Sequence, residues 1–339
     1  MTYGYLQGKE AISDCEKQED NSTGMQCILR GSETASLQAG DEGVFCLQID
    51  TEWRLENIIV CCTEFNKKLE ETMLFGAKNR NIAIGNTDVD FVSFGRGDKN
   101  LVIIPGLGDG LKTVKGMAVT LAYMYRMYVK DYHVHIFSRK NELEEGYSTR
   151  DMARDLKEVL GKVGIEKADV MGLSQGGMIV QYLAIDHPQV VDKLVIGVSV
   201  SRQNETIQDV VGKWVEMAQA GDFKALTIDS LEKTYPENKV KKYRPLYPII
   251  TRFGKPKSFT RFIIQAKSCL GHNAYEELHK IESPTLVIGD DNDQVVGLNT
   301  SEEMAEQIPN SELYLTNGLG HGAFEEKVFN QQVLRFLSN

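Results

Sequence analysis

The chain has 339 residues, 42% hydrophobic and 25% charged, which is the profile of an ordinary soluble globular protein of one or two domains. A net charge of −10 argues against a general nucleic-acid binder, and no 18-residue apolar run exists that could cross a membrane as a helix. The first twenty residues lack the apolar centre of a signal peptide, so a cytoplasmic protein is expected.

Five of the six cysteines (Cys15, Cys27, Cys46, Cys61 and Cys62) fall within the first 62 residues. No C-x-x-C pair occurs, so packed, reduced thiols are expected rather than a metal or redox site. Residues 1–50 carry nine acidic and three basic residues and show little periodicity. From Asp50 onward, Leu55, Ile58, Ile59, Cys62, Phe65, Leu69 and Met73 repeat on one helical face, with Asp50 or Thr51 as cap. Such a stripe has to be covered by residues 20–48, by the rest of the chain or by a second copy. A homo-oligomer through this helix is therefore among the expectations. Residues 1–80 are read as an N-terminal extension and residues 81–339 as the main domain.

The main domain opens on a hairpin, with strands at Asn81–Ile84 and Asp88–Phe94 around Gly85-Asn86. A fully buried type of strand follows at Leu101–Ile104, then a helical segment from about Lys112 to Val129. Val134–Phe137 is the next strand, and Ser148 or Thr149 caps a helix reaching about Val163. Further strands are expected at Ala168–Met171, Lys193–Val198, Thr285–Ile288 and Glu312–Leu315, with helices at Met178–Ile185, Ser301–Gln307 and 323–337. Strands alternating with helices predict an α/β fold, a mostly parallel sheet covered on both faces. Residues 201–280 interrupt the alternation and read as a mainly helical insert.

Between the strand ending at Met171 and the helix beginning at Met178 stands Gly172-Leu173-Ser174-Gln175-Gly176. This G-x-S-x-G spacing suits a strained strand-to-helix turn that lifts a serine hydroxyl above the sheet, with glycines where no Cβ fits. The helix start then offers the Gln175 N–H to a developing oxyanion. Pro105-Gly106-Leu107-Gly108-Asp109-Gly110-Leu111-Lys112-Thr113 also joins a strand to a helix. Both a dinucleotide fingerprint and a Walker A loop require glycine where Leu111 stands. An oxyanion loop presenting the Leu107 N–H requires no missing residue.

A serine nucleophile needs a base. His321, in Asn317-Gly318-Leu319-Gly320-His321-Gly322, lies between the last strand and the last helix, at the sheet edge that carries Ser174. The acid that orients it is expected after a strand lying between these two residues. Gly289-Asp290-Asp291-Asn292-Asp293 follows Ile288, and Asp293 is chosen because several residues of loop are needed to reach the histidine. Asp290 and Asp291 are assigned to the turn itself.

Residues from about 82 to 339 resemble the α/β-hydrolase superfamily, particularly its esterase, lactonase and carbon–carbon-bond hydrolase branch. The resemblance rests on Pro105-Gly106, the Gly172–Gly177 elbow, the Pro284–Asp293 segment and Gly320-His321. It implies Ser174 as nucleophile, His321 as base, Asp293 as its partner, Leu107 and Gln175 as oxyanion donors, and a cap at about 201–280. Many relatives have His-Gly where this chain has Pro105-Gly106, and residues 1–80 have no counterpart. A serine in place of aspartate argues against dehalogenase or epoxide hydrolase chemistry.

Between Lys239 and Lys267 there are nine basic residues and no acidic ones. Either this is a solvated helix face, or it is a cationic pocket wall in which Arg244, Arg252 and Arg261 meet an anionic acyl substrate. The expected activity is cofactor-independent hydrolysis of a small acyl substrate, without nucleic acid, membrane or metal. An acyltransferase on the same fold, a triad-retaining ligand receptor and a nucleotide enzyme built on Gly106–Thr113 are the competing readings.

Overall fold

The computed structural model describes residues 74–339 other than 253, together with the backbone of three strands among residues 24–49. Those strands, β1 (Gly24–Ile28), β2 (Thr34–Ala39) and β3 (Phe45–Ile49), form an antiparallel sheet in the order β1-β2-β3. The low periodicity of residues 1–50 gives no sign of these strands. Phe45, Leu47 and Ile49 alternate with Cys46 and Gln48, a strand pattern obscured by its five-residue length. The helix expected from Asp50 to Met73, and any oligomer built on it, lie outside the described residues.

The main unit, Glu71–Asn339, is built on an eight-stranded sheet. A hairpin, β4 (Lys78–Ile84) and β5 (Thr87–Phe94), leads to β6 (Lys99–Ile104), helix α1 (Ala118–Met124) and β7 (Tyr132–Lys140). There follow α2 (Thr149–Lys162), β8 (Ala168–Leu173), α3 (Gln175–Asp186) and β9 (Val191–Gly197). Five helices fill the insert: α4 (Glu205–Gln219), α5 (Phe223–Thr234), α6 (Glu237–Tyr243), α7 (Tyr247–Ile250) and α8 (Thr260–Leu270). The chain closes through β10 (Thr285–Asp290), α9 (Thr300–Gln307), β11 (Ser311–Thr316) and α10 (Lys327–Ser338).

The strand order is β11-β10-β9-β8-β6-β7-β5-β4, and only β5 runs against its neighbours. The mostly parallel sheet and the α/β-hydrolase fold class are thus as expected. One difference concerns residues 112–129, where the helix is confined to Ala118–Met124. Gly116 adopts φ +79°, a left-handed conformation that ends any helix begun at Lys112.

Both sheet faces are buried, and the strand period decides which side chain goes where. Val102, Ile104 and Val170 pack on one face with Met152 and Leu156 of α2 and Ile179 and Leu183 of α3. Leu101, Ile103, Met171 and Leu173 pack on the other with Tyr128, Phe329 and Val333. Helix α2 starts at a capping box, in which the Ser148 hydroxyl accepts from Asp151 N at 3.1 Å and Ser148 N donates to Asp151 Oδ2 at 3.0 Å.

From β6 the chain goes next to β7 on one side, while β8 lies on the other. A crevice therefore opens beyond the carboxyl ends of β6 and β8, where ligands bind in folds of this kind. Those two strand ends carry Pro105-Gly106-Leu107 and Ser174.

Phe329 on α10 is fully buried beneath the sheet, in the cluster that includes Leu286 and Ile288. Phe329→Ala is expected to destabilise the protein by about 3–5 kcal/mol, read as a lowered urea midpoint at unchanged slope.

Candidate active site

Steric exclusion shapes the elbow. A Cβ at Gly172 would stand 2.3 Å from the Gly176 carbonyl oxygen, and one at Gly176 would stand 2.0 Å from the Ile104 carbonyl oxygen. Both positions therefore admit only glycine, and their closeness folds the chain sharply between β8 and α3. Ser174 sits at the apex with φ +55° and ψ −119°, a conformation that non-glycine residues rarely adopt. Its backbone is fixed on both sides: Ser174 N donates to Gly197 O at 2.9 Å, and Ser199 Oγ donates to Ser174 O at 2.8 Å.

The last strand-to-helix loop brings His321 to this apex. His321 Nε2 lies 2.9 Å from Ser174 Oγ, and Nδ1 lies 2.7 Å from Asp293 Oδ2. Both His321 and Asp293 are buried. The other Asp293 oxygen, Oδ1, accepts from Val295 N at 2.8 Å and Val296 N at 3.0 Å, which locks the carboxylate in place. A carboxylate only accepts, so Nδ1 carries the proton and Nε2 is left to accept from the serine hydroxyl.

Asp290 and Asp291 do more than shape their own turn. Asp290 Oδ1 accepts from Gly320 N at 2.8 Å, and Oδ2 accepts from Leu319 N at 2.9 Å and Thr316 Oγ1 at 2.7 Å. Asp291 Oδ1 accepts from Gly318 N at 2.8 Å. Together they tie the Asp loop to the loop that carries His321.

Gln175 is the first residue of α3, and Leu107 is the first of a 3₁₀ turn over Leu107–Gly110. The N–H of a first helical residue has no acceptor within its own helix. The Gly106 backbone lies against the serine, since a Cβ there would stand 3.6 Å from Ser174 Oγ. Both N–H groups thus belong to segments that converge at the apex.

Around these segments runs a buried polar network. Arg139, at the carboxyl end of β7, donates through Nη2 to Pro105 O at 2.5 Å and to Gln175 Oε1 at 2.7 Å. Gln175 Nε2 donates in turn to Gln265 O on α8 at 2.7 Å. Asp109 Oδ2 accepts from Arg139 N at 3.2 Å and from Arg261 Nη2 at 2.6 Å. Burial pushes the Asp109 carboxyl up, but Arg261 and Arg139 outweigh it and hold the group below the ordinary carboxylate range. Burial pushes the Arg139 guanidinium down to about 10, so it stays cationic at neutral pH. On α8, burial pushes the Cys269 thiol up to about 12, which makes it unreactive at neutral pH.

The three arginines proposed as a cationic wall separate. Arg261 donates to Asp109, to Arg139 O at 2.9 Å and to Lys140 O at 2.9 Å, so its guanidinium is spent on the protein. Arg244 is exposed and pairs with Glu237 at 2.7 Å and Glu232 at 3.6 Å. Arg252 is exposed. Lys239 pairs with Glu326, and Lys267 with Glu145 at 3.7 Å. Of the three, Arg261 and Arg244 are thus engaged by the protein's own carbonyls and carboxylates, while Arg252 lies at the surface. The run has no acids of its own, yet the fold supplies them from Glu145, Glu232, Glu237 and Glu326.

A family model described as the alpha/beta hydrolase fold matches residues 99–328. The chain belongs to the α/β-hydrolase family. A 2-hydroxy-6-oxononadienedioate/2-hydroxy-6-oxononatrienedioate hydrolase of Paraburkholderia phymatum is 27% identical, over 77% of this chain and 95% of that protein. RutD of Stutzerimonas stutzeri, which carries the name of a carbamate hydrolase, is 27% identical over 70% of this chain and 91% of its own. Among solved structures, the enol-lactonase of Burkholderia xenovorans LB400 superposes with a TM-score of 0.65 at 16% identity. That match covers 77% of this chain and all of the lactonase, a likeness of fold.

Sequence reasoning about this α/β-hydrolase missed Asp109, Arg139 and Gln265. An arginine followed by a lysine at a strand end looks like a solvated terminus, and nothing local marks it as buried. One weak signal existed: Asp109 interrupts a glycine-rich turn between two apolar segments.

Gly176→Ala is expected to lower stability by at least about 2 kcal/mol, because the added methyl meets the β6 backbone rather than a movable side chain. The urea midpoint measures this, and unchanged stability would contradict the steric account of the elbow.

Proposed function

We propose that the chain is a serine hydrolase that cleaves an ester, thioester or lactone through an acyl-enzyme, with Ser174 as nucleophile, His321 as base and Asp293 as its orienting acid. One observation carries this reading: the unbroken chain from Asp293 Oδ2 to His321 at 2.7 Å and from His321 to Ser174 Oγ at 2.9 Å. As Ser174 Oγ attacks the carbonyl carbon, its proton passes to His321 Nε2, and Asp293 stabilises the resulting imidazolium. The carbonyl oxygen becomes an oxyanion facing the Leu107 and Gln175 N–H groups. His321 then returns the proton to the departing alkoxide, thiolate or, for a ketone substrate, carbanion. Water, deprotonated by the same imidazole, releases the acid and restores the serine. The names of the relatives above, among them a hydrolase of an oxo-dienedioate and a lactonase, support a carbonyl substrate. The helical insert serves as the cap over the crevice.

Ser174→Ala is expected to fold normally and to lose at least about 10³-fold in kcat on a 4-nitrophenyl ester. Asp293→Asn costs up to about 10⁴-fold in kcat by removing the anion that fixes the histidine tautomer. Asp291→Asn, at an exposed position where the amide oxygen can still accept from Gly318 N, leaves kcat within a few-fold. An active Ser174→Ala, or a crippled Asp291→Asn beside an active Asp293→Asn, would overturn the assignment.

A further inference from the structure

Arg139 hydrogen-bonds to neither Ser174 nor His321, yet one of its nitrogens joins both halves of the oxyanion site. Nη2 bears two hydrogens and spends one on Pro105 O at 2.5 Å, two residues before Leu107. The other goes to the side chain of Gln175, at 2.7 Å. The turn that begins at Leu107 is also held from beneath, where Asp109 Oδ2 meets Arg261 Nη2 at 2.6 Å. Helix α8, which carries Arg261, presses directly on that turn: a Cβ at Gly110 would stand 2.8 Å from Phe262 Cα. Two guanidiniums against one carboxylate leave this buried cluster with one net positive charge, on the side where negative charge develops during acyl transfer.

We propose that Arg139 is a positioning residue of the oxyanion site, setting the separation of the Leu107 and Gln175 N–H groups, with Asp109 and Arg261 coupling that separation to helix α8. The inference rests on the hydrolase reading of Ser174 and extends it. The oxyanion donors gain their effect by being fixed before charge develops, so a loosened pair loses transition-state stabilisation while leaving ground-state binding intact. Arg139 is thus separable from an ordinary structural residue, whose loss changes stability without a selective effect on the transition state.

The test uses the full-length protein with 4-nitrophenyl butyrate as substrate, a short alkyl boronic acid as tetrahedral mimic and butyrate as ground-state ligand. Arg139→Met is expected to lower kcat by about 10²-fold while KM moves less than about threefold. Boronate affinity falls in parallel, butyrate affinity holds, and Arg139→Lys, which keeps the charge and can reach one acceptor, recovers part of the loss. A folded Arg139→Met with wild-type kcat overturns the proposal, as does an equal loss of boronate and butyrate affinity. If Arg139→Met fails to fold, Gln175→Met removes the side-chain acceptor of Arg139, together with the donor to Gln265 O, and keeps the N–H, and it must show the same split; unchanged kcat there overturns the proposal as well. Ser174→Ala separates the two claims. Activity surviving in Ser174→Ala defeats the hydrolase reading itself, whereas an inactive Ser174→Ala beside an indifferent Arg139→Met defeats this inference alone.

Discussion

The approach of the elbow to strand β6 is the constraint on which the site depends. Gly172 and Gly176 leave no space for a Cβ, and this lets the chain reverse within four residues and forces Ser174 to φ +55°. Such a conformation is costly in isolation and persists only because the surrounding structure overdetermines it. Hydrogen bonds from Ser174 N to Gly197 O and from Ser199 Oγ to Ser174 O supply that restraint, and α3 supplies the buried helix below. The serine hydroxyl therefore stands above the sheet edge in a fixed direction, toward His321.

Three loops from different parts of the chain meet there, and polar groups fix each of them in addition to apolar packing. The His321 loop hangs on Asp290 and Asp291, Asp293 is clamped by two backbone amides, and the Leu107 turn is tied down through Asp109 and Arg139. Hydrogen bonds are directional where apolar contact is not, which suits positions that must hold to fractions of an ångström. Charged side chains bear this load because buried charges are worth keeping only when fully paired. The Asp109–Arg139–Arg261 cluster meets that condition only in part: backbone carbonyls serve as additional acceptors, while Asp109 Oδ1 and Arg139 Nε and Nη1 are buried without a hydrogen-bond partner among the described residues.

Much of this was legible in the sequence wherever a local steric or periodic rule applied. The elbow glycines follow from spacing alone, and the buried strands follow from runs such as Leu101–Ile104. Asp293 and His321 follow from chain order and loop reach, and the fold brings them within 2.7 Å of each other. What escaped notice is instructive. The order within residues 24–49 was hidden because strands of five or six residues leave almost no periodic signal. Arg139, Asp109 and Arg261 are 30 and 122 residues apart along the chain, and only the folded sheet and insert bring them together. Arg244 and Arg261 belong to one basic run, yet one lies exposed beside glutamates and the other is bonded beneath the Leu107 turn. Nothing in local composition distinguishes them.

The most direct test of the central claim is chemical. The full-length protein is treated with a fluorophosphonate, digested, and the modified peptide sequenced by mass spectrometry. A nucleophile at the elbow predicts one stoichiometric adduct on Ser174, formed in step with loss of ester hydrolysis. An adduct confined to another residue, or full hydrolytic activity with Ser174 unmodified, would contradict it.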